Sequence, residues 1–137
     1  MTNLFEKALL TGFGLFILII FFSIINPFLG EITDYYRDID NEKQIYIDFM
    51  SNMDSAINSI IENPDEHYIE KVNYPKDLNI SFYGNKVKYD YIVQFQTYSV
   101  FKEYLGNFVE NDYYNLLPDV YDLLITYKSG MIDVCFN

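Results

Sequence analysis

Residues 8–29, ALLTGFGLFILIIFFSIINPFL, contain no charged side chain. As an α-helix rising 1.5 Å per residue, this run covers about 33 Å, the thickness of a bilayer's hydrocarbon core. A chain that carries it must find lipid, or an equally apolar partner, for every face of that helix. A secretory signal has a shorter apolar region, a basic start and small residues before the cut. Here a single lysine, Lys7, precedes the run, and Phe28-Leu29-Gly30 lacks the small-x-small pattern. An uncleaved span behind a short polar tail, residues 1–7, is therefore expected.

Asn26-Pro27 removes a backbone donor near the distal edge of the run. It reads either as a helix end or kink at the interface, or as a built bend between an embedded half and an exposed half. Lys7 on one side balances Arg37 and Lys43 on the other, so the positive-inside rule does not orient the span. The folded part follows the span, is acidic and carries the sequon Asn79-Ile80-Ser81, a candidate glycosylation site. On that basis the tail is expected inside and the C-terminal domain outside, at the cell membrane or on a cell-surface filament.

Beyond Gly30 the apolar pattern becomes one-sided. Ile32, Tyr36, Ile39, Lys43, Tyr46, Met50, Met53, Ile57 and Ile60 step by four and three, and only Lys43 interrupts the stripe. Asn63-Pro64 supplies a stop, because the residue before proline avoids the helical region. Residues 30–63 thus form an amphipathic stem about 45 Å long if unbroken. Its stripe needs a cover, either the chain's own sheet or a neighbouring copy packed in coiled-coil fashion. Asp38, Asp40 and Glu42 alternate as in a calcium loop. Lys43 stands where such a loop needs glycine, however, and Phe49 where it needs glutamate, so a solvated helix face is the better reading.

From His67 the pattern alternates. Gly84-Asn85 sits between two β-rich runs and marks a hairpin. Val87, Tyr89, Tyr91, Val93, Phe95 and Thr97 share one face of what reads as a single long strand. The segment KEYLGNFVENDYYNLLPD is rich in turn and polar residues. Then VYDLLITYK, Ser129-Gly130 and MIDVCFN read as a closing hairpin. The expected fold is α+β: a long N-terminal helix, hydrophobic then amphipathic, packed on a small antiparallel sheet of four or five strands in a head of residues 64–137.

Charge and motif content exclude several functions. Glu6 and Lys7 cancel, so the net charge of -11 lies after residue 30. An acidic head without a basic stripe does not bind nucleic acid. Cys135 is the only cysteine and His67 the only histidine, which removes internal disulfides and multi-histidine metal sites. The serines lack a nucleophile-elbow pattern and no glycine-rich phosphate loop is present. No enzyme activity, metal, cofactor or small-molecule substrate is expected. The 14 tyrosines fit a sugar- or surface-binding face, or the ordinary preference of tyrosine for strands.

The order of parts is a short polar start, Glu6, an apolar helix with Pro27, an amphipathic extension and a small β domain. It resembles archaeal type IV pilin-like and archaellum-associated proteins. VNYPKDLNISFYGNKVKYDY is similar to a pattern common in that group, a strand and a proline preceding i-x-i-x-G-n-x-v. The resemblance implies a structural subunit or accessory of an extracellular filament, with other copies or other pilin-like subunits as partners. It implies that Glu6 neutralises a neighbour's amino terminus, at mature position five if Met1 alone is removed. Pilin precursors carry a leader ending in a basic and a small residue. None stands before Glu6, which also fits a non-processed accessory. The alternative is a single-span ectodomain serving a larger envelope or membrane complex.

Overall fold

The computed structural model describes residues 2–137. Met1, whose removal would set Glu6 at the fifth mature position, lies outside them. The fold is α+β, as the patterning predicts: one long helix, then eight strands in two sheets. The chain divides into two compact units, Met1–Asp40 and Asn41–Asn137. Helix α1 is assigned from Thr2 to Glu62 with Pro27 inside it, and it stops where Asn63-Pro64 forbids another helical turn.

In the second unit, one face of α1 forms the floor of the core. Tyr46, Met50, Met53, Ile57 and Ile60 of the expected stripe are buried, joined by Phe49 and Ala56 on its flank. Each fully buried aliphatic side chain contributes about 1.5–3 kcal/mol relative to exposure. The stripe's earlier positions differ: Ile32 and Tyr36 are 39% and 62% exposed. Within the second unit, cover for the stripe begins near Lys43. That lysine is not an interruption. Its ammonium lies 4.4 Å from the centre of the Tyr98 ring. Tyr98 stacks on Tyr91 and Tyr91 on Tyr46, with centroids 5.5 and 4.4 Å apart. The cation thus closes a ladder of three aromatic rings.

The strands are more numerous than the alternation alone predicts, and they form two sheets rather than one. The first sheet joins β1 (His67–Asn73), β7 (Val120–Lys128), β8 (Met131–Phe136) and β5 (Asn107–Phe108), in that order. The second joins β4 (Gln96–Glu103), β3 (Lys86–Val93), β2 (Leu78–Tyr83) and β6 (Asn111–Tyr113). All pairs are antiparallel except β5 with β8. The short strands β5 and β6 both lie in the segment that reads as turns. Two or three residues are too few to show a period. Aromatic contacts tie the layers together: Phe49 on Tyr74 and Phe136, Phe82 on Phe108, and Tyr113 on Phe136.

Both expected hairpins form. Gly84-Asn85 joins β2 to β3, with Gly84 at φ 54°, and Ser129-Gly130 joins β7 to β8 with φ values of 52° and 83°. The long strand through Phe95 and Thr97 does not form. The chain reverses at Gln94-Phe95, so that Val93 pairs with Gln96 and Tyr91 with Tyr98. Both turn residues adopt positive φ, 45° and 68°. This is the geometry of a type I′ turn built without its usual asparagine and glycine. Phe95 projects fully into solvent, and the Gln94 side-chain oxygen is buried without a hydrogen-bond partner.

A polar clamp also joins α1 to the second sheet. Asp54 accepts from the Lys102 ammonium and from the Tyr104 hydroxyl. The Tyr89 hydroxyl lies beside Tyr104 but outside hydrogen-bonding geometry, buried and unpaired.

Two outcomes follow from this packing. Replacing Gln94-Phe95 with Asn-Gly relieves left-handed strain at two L-residues and stabilises the head by about 1–2 kcal/mol, read as a raised thermal midpoint; an unchanged or lower midpoint would show that the turn is unstrained. The second concerns alkali. Burial, the largest cause in each, raises the hydroxyls of Tyr74, Tyr89, Tyr104 and Tyr113 above their ordinary 10.0, Tyr113 to about 12. The folded state keeps these protons after the unfolded chain has lost them. The stabilisation is therefore complete below about pH 10 and is lost as pH rises through the folded values. Phenolate absorbance should rise in two phases, the second coinciding with loss of the folded signal.

Candidate anchoring and assembly surface

Along the apolar run the helix backbone satisfies its own hydrogen bonds except opposite Pro27, so it is chiefly the side chains that need an environment. None of the residues 3–30 is buried, and only Ile25 is even half-covered. The consecutive residues Leu15, Phe16, Ile17 and Leu18, about 100° apart round the helix, are between 51% and 60% exposed, so the apolar surface is open on all sides. This is one helix long and apolar enough to cross a membrane. The hydroxyl side chains of the run and of Thr33 just beyond it turn inward on their own backbone. The hydroxyls of Thr11, Ser23 and Thr33 donate to the carbonyls of Lys7, Ile19 and Leu29, each at 2.8 Å. Such back-bonding is how serine and threonine are carried at low cost in an apolar helix.

Pro27 stands inside α1 rather than at its end, which removes the helix-end reading of Asn26-Pro27. Its missing N–H leaves the Ser23 carbonyl without the usual partner four residues on. Glu6 lies near the start of α1, exposed, and among the described residues it makes no ion pair. Further along, Arg37 and Asp34 form a loose exposed pair at 3.8 Å, and Tyr35 and Tyr36 meet edge to face. Exposed ion pairs of this kind contribute little.

The remaining sequence candidates fall in the second unit. Asn79 is the second residue of β2, half-buried, and its Oδ1 accepts from the Asn115 backbone N–H at 2.9 Å. Ser81 of the same sequon is buried and shares a hydrogen bond with Tyr114. A glycan at Asn79 would have to be attached before β2 joins its sheet. His67 opens β1 and is exposed. Cys135 is half-buried on β8, and burial raises its thiol, which sits 3.7 Å from Asp133. This is the setting of an inert strand cysteine. Among the described residues no three or more His, Cys, Asp or Glu side chains gather to hold a metal ion. The Asp54–Lys102–Tyr104 clamp carried no sequence signal: Lys102 and Tyr104 lie 48 and 50 residues from their partner.

Comparison with protein families, with curated proteins and with solved structures gives no match.

If residues 8–29 span a bilayer, one carboxylate at their centre should be enough to disturb insertion. Leu18→Asp is expected to cost about 3 kcal/mol of insertion free energy, seen as a lower share of chain resisting alkaline extraction from membranes. Retention equal to wild type would place this run elsewhere than in lipid.

Proposed function

We propose that this chain is a structural protein of the cell surface, a subunit or accessory of a pilin-like filament. It is held by its N-terminal helix and displays the β-rich head outside the membrane. The observation that supports this reading is the apolar surface from Leu4 to Leu29, open on every side, on the helix whose later residues floor the head's core. A helix apolar all round must be enclosed by lipid or by like helices. In lipid, like helices associate through close packing and polar pairing rather than through a hydrophobic force.

Glu6 is the group that separates assembly from simple anchoring. A carboxylate enclosed among apolar helices costs several kcal/mol unless a cation meets it. In a filament its partner is the amino terminus of the adjoining subunit. In a lone span, Glu6 stays at the interface beside Lys7 and does no such work. The uniform apolar surface serves this second reading equally well: a single-span ectodomain attached to a larger membrane complex.

The expected outcome of Glu6→Ala is membrane insertion at the wild-type level with loss of helical fibres in negative-stain micrographs. Fibres of normal length from the variant would remove Glu6 from assembly. Absence of fibres from the wild-type protein as well, with insertion intact, would favour the lone anchor.

A further inference from the structure

Packing accounts for most of the head's tyrosines. Tyr46, Tyr74, Tyr113 and Tyr121 donate their hydroxyls to the backbone carbonyls of Lys76, Leu78, Val134 and Leu117, and their rings fill the core or its rim. Tyr83 and Tyr114 are different. They are 38% and 57% exposed, and both border the outer face of the second sheet.

Strand register arranges that face. Asp112 lies opposite Ser81, Ser81 opposite Lys88, and Lys88 opposite Phe101, so one row of side chains crosses all four strands. Tyr83 occupies the next outward position on β2. The Tyr114 hydroxyl is 2.9 Å from Ser81 Oγ. Tyr83, Tyr114, Ser81, Lys88, Asp112 and Glu110 line an open cleft of about 730 Å³, within the range of small-ligand sites. At the end of the row, Phe101 presents a ring that is 57% exposed, with the Lys88 ammonium 5.8 Å from its centre.

The chemistry of the cleft narrows its ligand. Its one cation, Lys88, is already paired with Asp90 at 2.7 Å, and Glu110 and Asp112 add two carboxylates. An anion would therefore meet net negative charge at short range. A wholly apolar ligand would strip water from these carboxylates and return no hydrogen bonds. A ligand with a flat C–H face and several hydroxyls meets both demands. Its face lies on a tyrosine ring while its hydroxyls donate to the carboxylates and accept from Lys88. We propose that this cleft binds a neutral pyranose sugar, giving the head a carbohydrate-recognition surface independent of how the N-terminal helix is used.

The test uses the full chain in phosphatidylcholine nanodiscs, since sugar-headed detergents would compete. Saturation-transfer NMR is run with methyl glucoside, methyl galactoside, methyl mannoside, N-acetylglucosamine, maltose and cellobiose, and with choline as a cationic control. At least one sugar should receive transfer, with a dissociation constant on the order of millimolar. Tyr83→Ala, at an exposed position outside the core, should weaken binding at least about tenfold. Tyr114→Phe should weaken it less than Tyr114→Ala, because the ring remains. Tyr127→Ala, on the other sheet, should leave it unchanged. Absence of transfer to every sugar overturns the proposal. So does transfer that survives both alanine changes, or binding of choline where no sugar binds.

Discussion

Burial of one face of α1 between Tyr46 and Ile60 is the constraint on which the head depends. Two four-stranded sheets cannot each close a core alone when several strands are only two to seven residues long. The helix provides the shared surface. Phe49 meets Tyr74 and Phe136 near the first sheet, Tyr46 stacks on Tyr91 in the second, and Asp54 holds Lys102 and Tyr104. Between themselves the two sheets meet through aromatic contacts such as Phe82 with Phe108 and Tyr113 with Phe136. The helix is thus part of the head's core and not a linker to it.

The same constraint explains how the stem divides its work. The helical period runs without change from Ile32 to Ile60, and within the second unit its cover begins near Lys43. A continuous stripe with partial intrachain cover leaves Ile32, Tyr35 and Tyr36 facing outward, immediately after a run that is apolar on every side. Chemistry therefore falls into two regions. Residues 8–29 carry apolar surface on every side, and the head's surface is polar, acidic and aromatic.

Legibility in the sequence followed the strength of the periodic signal. The apolar run, the stripe, the stop at Asn63-Pro64 and the hairpins at Gly84-Asn85 and Ser129-Gly130 could all be read, because each has a period or a turn residue that only one backbone suits. The hairpin at Gln94-Phe95 could not. Neither residue is a turn former, and the alternation from Val87 continues unbroken through it; the only warning was a strand longer than the usual five or six residues. Strands β5 and β6 are too short for a pattern and owe their place to partners far along the chain. Lys43 looked like a defect because its partner, Tyr98, is remote in sequence. The outer cleft was equally hidden, since Asp112, Ser81, Lys88 and Phe101 become neighbours only through strand register.

The position of β8 sets an order of events. This strand follows the other seven in sequence, yet it lies inside the first sheet, between β7 and β5, and its Phe136 packs against Phe49 of the helix. The first sheet also takes its edge strand, β1, from the beginning of the head. Three of the six strand pairings are local hairpins, while β1 with β7, β2 with β6 and β5 with β8 join distant parts of the chain and close later. In synthesis α1 precedes every strand of the head, and the head has no finished core until β8 is available.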